Sequence, residues 1–401
     1  MNKFYLKDVA KIDISSVDKK SKENEQPIRL CNFIDVYNNW AISKKMYDKF
    51  MRATANQNEI NRYKLKKGMI AITKDSETRD DIGMSTYIAD SFEDVILGYH
   101  TALIIPNSSI VDSRYLNAYL NSTLGRKHFS NSASGSGQRY TLTIESIGNL
   151  AVYLPPLNIQ KKIGNLLSKI DRKLENNIHI NNNLEELMQT LYQRWFIEFN
   201  FPNEEGKPYK SSGGKMVWNE ELKQKIPEDW KVLSIKDVLN VITGKEDANF
   251  STKDGKYKFF TCSNDILKCD VPAFNGKAVL IAGNGDFNVK YYDGEFNAYQ
   301  RTYVLMPEDE KYIGEIYLNA INTINKFKKG SNGSIVKFIT KGDVENIKIL
   351  IPKDNRLLFE LNKKLDQIQH FKKENEDLAE LRDFLLPMLM NGQINVDDVE
   401  I

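Results

Sequence analysis

The feature that most limits what this 401-residue chain can fold into is that it is written twice. A fixed-order internal repeat means two similar folding units, and missing it misassigns the whole architecture. Leu6-Lys7-Asp8-Val9 recurs as Ile235-Lys236-Asp237-Val238, an offset of 229, and Gly68-Met69-Ile70-Ala71-Ile72 recurs as Gly276-Lys277-Ala278-Val279-Leu280, an offset of 208. Tyr115-Leu116-Asn117-Ala118 recurs identically from Tyr317, an offset of 202. TIESIGNLAVYLP from Thr143 matches TKGDVENIKILIP from Thr340 at 197, and Leu184, Leu187 and Leu191 match Leu378, Leu381 and Leu385 at 194. Offsets that fall along the chain are the mark of a duplication whose second copy then lost loop residues; chance matches would scatter.

Each copy is therefore a variable globular segment followed by a helical one. The expected organisation is a globular domain over 1–155, a helix over 156–199, a connector over 200–225, a second globular domain over 226–352, a second helix over 353–391 and a frayed tail over 392–401. The connector is polar and rich in Gly, Pro, Ser and Lys. The globular segments mix short β-rich runs (69–73, 95–97, 102–105, 278–281, 302–305, 347–351) with helices near 113–129 and 313–327, which makes them α+β domains.

In the helical segments apolar residues fall three or four apart. The first runs through Ile159, Ile163, Leu166, Ile170, Leu174, Ile178, Leu184, Leu187 and Leu191; the second through Leu361, Leu365, Ile368, Leu378, Leu381, Leu385 and Met388. That spacing is a coiled-coil seam. A helix over 157–197 would be roughly 60 Å long at about 1.5 Å per residue. Antiparallel packing of the two would turn the duplication into an approximate two-fold axis, with the globular domains at opposite ends of a rod. Such a rod could set two recognition domains on the same face of a DNA duplex, one turn of roughly 34–36 Å or somewhat more apart; an ordinary helical hairpin fits the seam equally. Asn181 and Asn375 occupy matched seam positions, where a polar residue can set register, or where solvent-facing asparagines can loosen the middle.

The first helix follows Pro155-Pro156. In the catalytic loop of a nucleic-acid amino-methyltransferase a proline pair is preceded by Asn or Asp and followed by an aromatic. The flanking residues here are Leu154 and Leu157, which can neither bond a target amino group nor stack on a base. The pair instead suits a helix start, where a missing N–H has no partner to lose.

Composition narrows the classes further. No apolar run is long enough to cross a bilayer and no basic-then-apolar leader opens the chain, so a soluble cytoplasmic protein is expected. Three cysteines and four scattered histidines argue against a disulfide framework or a zinc site. A net charge of +2 means that any nucleic-acid binding must come from local basic surface.

The ordered set LPPLNIQKKIGNLLSKIDRKLENNIHINNNLEELMQTLYQRWF, GKPYKSSGGKMVW, IPEDWKVLSIKDV and LRDFLLPMLMNGQI resembles the specificity subunit of type I restriction-modification systems. The likeness covers nearly the whole chain and is weakest inside the globular segments. It departs where the second helical segment starts with Pro352-Lys353 and lacks a proline pair. The resemblance implies two α+β target-recognition domains separated by two long antiparallel helices, with an internal pseudo-two-fold repeat. It implies that each domain reads one half of a bipartite double-stranded DNA site. It also implies two modification (methyltransferase) subunits as partners, restriction subunits in the full complex, no membrane, and no cofactor on this chain, S-adenosylmethionine being expected on the modification subunits.

Bases are read by side chains that form paired hydrogen bonds, while Lys, Arg and backbone amides hold phosphates. Two pairs of segments offer such groups. The first is 131–141 with Gln138 and Arg139, against 325–338 with Lys328, Lys329, Ser331 and Asn332. The second follows the Gly-initiated strands, with Lys74 and Arg79 in one copy and Asn284, Lys290 and Tyr291 in the other. Arg301 joins them as a candidate, although a strand-surface salt bridge would also account for it. A flexible Gly/Ser surface turn is the plain alternative for the first pair, and AGNGDF lacks the third glycine and the βαβ context of a nucleotide-binding turn.

Trp195, Phe196 and Phe199 cluster at the end of the first helix, either as core beneath a recognition domain or as an anchor for a modification subunit. No residue is expected to be catalytic or to bind metal. The competing readings are a self-contained DNA methyltransferase or nuclease, which would need a methyl-donor fold or clustered carboxylates, and a coiled-coil scaffold without nucleic-acid affinity.

Overall fold

The computed structural model describes residues 1–136, 139–329 and 338–398. Its contacts divide the chain into a first unit, Met1–Asn176 with Asn375–Ile401, and a second, Asn177–Glu374. Both boundaries fall inside the two long helices, Leu157–Tyr192 and Arg356–Met390. Each unit therefore owns half of each helix.

In the first unit a five-stranded sheet has the order Ala10–Ile14, Thr101–Pro106, Ile70–Thr73, Ser85–Ile88, Ala41–Ile42. Its central strands are buried on both faces. Ile70, Ile72, Ala102 and Ile104 face a core completed by Tyr115, Leu116 and Tyr119 of helix Ser113–Asn121, while Ala71 and Leu103 face a second core with Leu30, Ile96 and Leu97. Successive side chains point to opposite faces of a strand, so continuous apolar runs with no polar alternation belong to such doubly covered strands.

The second unit repeats the plan. In its six-stranded sheet Phe274–Ala282 pairs with Thr302–Leu305. Val279, Ile281 and Leu305 face the core shared with Ile313 and Ile316 of helix Ile313–Lys329, and Ala278, Leu280 and Val304 face the other. The strand register corrects the sequence alignment by one residue. Thr73 lies opposite Thr101 as Ala282 lies opposite Thr302, so Ile72 corresponds to Ile281 and not to Leu280. A one-residue slip would turn every side chain to the wrong face, and the two cores exclude it.

Smaller elements recur as well. Asn2–Tyr5 pairs antiparallel with Ala151–Leu154, as Lys231–Ser234 does with Lys348–Ile351. Thr143 and Thr340 each cap a short helix by accepting the N–H three residues on, at 3.0 and 3.2 Å. The predicted helix over 113–129 is broken at Ser122, whose hydroxyl turns back to the Tyr119 carbonyl. The 200–225 segment is more ordered than a plain connector: Met216–Asn219 and Gln224–Pro227 form a hairpin.

Within each unit the long helices run antiparallel. In the first unit Lys162 meets Asp397 at 2.7 Å and Asn375 donates to the Leu174 carbonyl at 3.4 Å. In the second, Asn177 donates to Glu374 at 2.7 Å and Tyr192 shares a core with Leu357 and Leu361. The seam departs from the apolar pattern in its middle. Asn177 and Asn181 are buried, whereas Ile178 and Leu187 are 51% and 44% exposed. A 3.5-residue period continued from Ile170 and Leu174 passes through 177, 181, 184 and 188, so the apolar residues one step away miss the interface. The helix then closes with a π-helical turn, Gln193–Ile197.

Pro155 and Pro156 open the first long helix: the Pro156 carbonyl accepts the N–H groups of Ile159 and Gln160. Gln160 ties this helix to the sheet domain. Its Oε1 accepts from the Asp112 N–H at 3.0 Å and its Nε2 donates to the carbonyls of Ile110 and Pro155. Asn362 does the same in the second unit, accepting from the Gly314 N–H at 3.0 Å and donating to the carbonyls of Glu310 and Lys311. Both matched pairs are 202 residues apart.

Candidate nucleic-acid interface

Where strand Ile70–Thr73 ends, the backbone of the next residue is held on both sides. Lys74 N–H donates to the His100 carbonyl at 2.9 Å, and its own carbonyl accepts from Leu142 N–H at 2.7 Å. The second unit builds the same frame around Gly283, whose N–H donates to the Arg301 carbonyl at 2.9 Å and whose carbonyl accepts from Ile339 N–H at 2.7 Å. A Cβ on Gly283 would lie 2.6 Å from the Arg301 carbonyl oxygen, closer than packing allows. Lys74 thus corresponds to Gly283, Asp75 to Asn284, His100 to Arg301 and Thr101 to Thr302.

On this frame the first unit gathers basic and aromatic side chains. Asp75–Ser76 pairs with Arg139–Thr141, which pairs with Ser134–Ser136. The Gly/Ser-rich segment is thus the two arms of a hairpin. Its Gly135 has φ 144°, and a Cβ there would sit 2.1 Å from the Arg139 carbonyl oxygen. The Asp75 carboxylate, almost fully buried, receives Lys74 Nζ at 2.9 Å, His100 Nδ1 at 2.6 Å and Arg139 Nη2 at 3.4 Å. Burial works against its charge, but hydrogen bonds from Thr141, Lys74 and His100 outweigh that and lower its pKa to about 2. Arg139 Nη2 also lies 2.6 Å from His100 Nδ1. Lys74 stands over the Tyr99 ring at 5.6 Å, the exposed Arg79 over Tyr140 at 5.0 Å, and the Tyr99 and His100 ring centroids are 3.9 Å apart. Two permanent cations, Lys74 and Arg139, and the His100 imidazole thus meet a single carboxylate.

In the second unit the exposed Arg301 and the half-buried Asn284 line an open cavity of about 420 Å³ with Gly283, Gln300, Tyr303 and Phe338. Two expected neighbours do not join them. Tyr291 turns the other way, donating to Asp366 of the second long helix at 3.2 Å, and burial pushes its hydroxyl pKa well above the usual range. Lys290 is half-buried and spends its ammonium on the Ser263 carbonyl and on Asn288 Oδ1, burial lowering its pKa. Both positions followed from strand proximity in sequence, but successive residues of a strand face opposite ways, so Tyr291 turns from the face of Lys290, and Lys290 is held by Ser263 and Asn288. Gln138, Ser331 and Asn332 lie outside the described residues; Lys328 and Lys329 end helix Ile313–Lys329.

The aromatic cluster is core and not an exposed anchor. Phe196 and Phe199 are 0% and 2% exposed, with Phe196 stacked on Tyr192 and both rings against Trp230; Trp195 is half-buried beside them. Sequence reasoning missed Asp75, Tyr99 and His100. Pairing Thr101 with Thr302 would have set His100 beside Arg301.

Among the described residues no group of three or more His, Cys, Asp or Glu is placed to hold a metal ion, and no helix is long and apolar enough to cross a membrane.

The family model for the type I restriction modification DNA specificity domain matches residues 1–186 and 227–377. The type I restriction enzyme EcoDI specificity subunit of Escherichia coli is 37% identical over a stretch covering 42% of this chain and 40% of that protein. The HindI specificity subunit of Haemophilus influenzae is 23% identical over 82% of this chain and 87% of its own length. The crystal structure of a type I restriction-modification S subunit from M. genitalium superposes with a TM-score of 0.59 at 17% identity, covering 97% of this chain and 95% of that one. That likeness is one of fold.

Proposed function

The chain belongs to the family of type I restriction-modification DNA specificity subunits, and from that premise we propose that it recognises a bipartite duplex DNA target, one half by each unit, and presents it to modification subunits that carry out methyl transfer. The observation that supports this most is the duplicated backbone frame at Lys74 and Gly283, which carries His100 and Arg301 at equivalent positions beside further basic or amide side chains. Two similar surfaces on one chain suit a target of two unlike halves. Direct readout needs Arg, Asn, Gln or His at a base edge and cations at phosphates, and Lys74, Arg79, Arg139, Asn284 and Arg301 supply those types.

The chain itself is proposed to be non-catalytic: the proline pair starts a helix, and its flanking leucines offer nothing to a target base. Modification subunits, and restriction subunits in a full complex, would bring the chemistry and S-adenosylmethionine. The domain roles follow, with 1–155 and 226–352 as recognition domains and the long helices as the element that carries the partners. A cytoplasmic location follows from the same role.

The test is to co-express the chain with its modification subunits and map methylated sites. Arg139→Ala should relax one half of the target and Arg301→Ala the other; relaxation of the same half by both, or methyl transfer by the purified chain alone, would overturn the proposal. Binding to long duplex DNA should weaken steeply with salt, and a failure to bind it even at low salt would point to a scaffold instead.

A further inference from the structure

We propose that His100 is a base-contacting, specificity-determining residue of the first unit, held in position by Asp75, and the structural counterpart of Arg301 in the second. This rests on the recognition function proposed above and adds a residue and a chemistry to it.

The shared frame carries the equivalence. In both units the carbonyl of the residue at this position accepts the N–H of the strand-end residue, and the next residue, Thr101 or Thr302, is buried and begins the matched strand. His100 and Arg301 therefore leave equivalent points of the frame, the imidazole on a shorter side chain than the guanidinium. His100 also has φ 71°, a left-handed conformation that costs free energy for a residue with a Cβ. Its ring is about a third exposed, 36%. Among the described residues the hydrogen bonds of the ring are all made by Nδ1.

That nitrogen faces two partners it cannot satisfy at once. With a hydrogen, Nδ1 donates to Asp75; without one, it accepts from Arg139. When a phosphate or base draws Arg139 outward, Nδ1–H turns to Asp75, and Nε2 is left as a bare acceptor. In the major groove an acceptor recognises the amino group of adenine or cytosine. Arg301, a fork of donors, suits the guanine edge. Asp75 is thus a positioning residue: it fixes the tautomer of His100. The charged groups facing the imidazole are Asp75, Arg139 and, through Tyr99, Lys74.

The experiment uses the chain assembled with its modification subunits and maps methylated sites. His100→Asn keeps a side chain that tolerates the left-handed backbone, so loss of folding does not confound it. His100→Asn should relax one base position, in the half that Arg139→Ala affects, with discrimination falling about ten- to a hundred-fold. His100→Arg should move that position toward guanine, and Asp75→Asn should weaken it while the other half stays intact. If His100→Asn and His100→Arg leave the methylation pattern unchanged, or lower methylation equally at every site, while Arg139→Ala and Arg301→Ala still relax their separate halves, this inference is wrong and the recognition function stands. If Arg139→Ala and Arg301→Ala relax neither half, the recognition function itself is wrong.

Discussion

Glu315 offers the sharpest test of the physical description of the second unit. It is fully buried in helix Ile313–Lys329, where its Oε1 accepts from Leu350 N–H at 2.8 Å and from Asn319 at 3.5 Å. Burial raises its pKa to about 8, against the opposing hydrogen bonds from Leu350, Asn319 and Tyr192. An unfolded Glu titrates near 4.3. Between these values the folded state holds a proton that the unfolded state has released, so the stability contribution is complete below about pH 4 and is lost as pH rises toward 8. One proton gives about 1.4 kcal/mol per pH unit, so the second unit should lose about 3 kcal/mol between pH 5 and 7 through this group. Glu315→Gln keeps the Leu350 acceptor and cannot ionise, so it should flatten that slope. The assay is urea unfolding by tryptophan fluorescence in a Trp40→Phe background, where Trp195, Trp218 and Trp230 all report on the second unit. Equal pH slopes for the parent and Glu315→Gln would refute the reasoning.

Removing the amide ties of the long helices, by Gln160→Ala in the first unit or Asn362→Ala in the second, should cost about 1–3 kcal/mol each through stranded backbone groups, read as separate losses in urea midpoint. Asn181 is 6% exposed and, among the described residues, its Oδ1 has no hydrogen-bond partner. Asn181→Leu should therefore raise the melting temperature, and any change of oligomeric state, seen by sedimentation, would show that the amide sets register at a cost in stability. Asp75, with its pKa lowered to about 2, should contribute stability above about pH 4 that disappears as pH falls toward 2; acid unfolding of Asp75→Asn should lack that component.

The duplication, the α+β character, both long helices and the helix-starting role of Pro155-Pro156 were legible in residue order, because periodicity, proline placement and repetition act locally along the chain. The exact register was not. Gly68 and Gly276 suggested an offset of 208, but only the two opposed cores, which separate Ile70 and Ile72 from Ala71, select 209 at the strand. The exposure of Ile178 and Leu187 likewise escaped a count of apolar residues, since the partner helix decides which stripe is covered.

Candidate DNA contacts divide on the same line. A basic residue on a Gly-rich segment, such as Arg139, or in a strand-flanking run, such as Arg301, can be found by eye. Only the folded chain brings Asp75, His100 and Arg139 together across 64 positions, turns Tyr291 toward Asp366, and puts Phe196 in the core. Sequence determined the elements and their repetition, because those depend on neighbours along the backbone. Tertiary structure decided which side chains share a site, because a hydrogen bond depends on distance in space and not on separation along the chain.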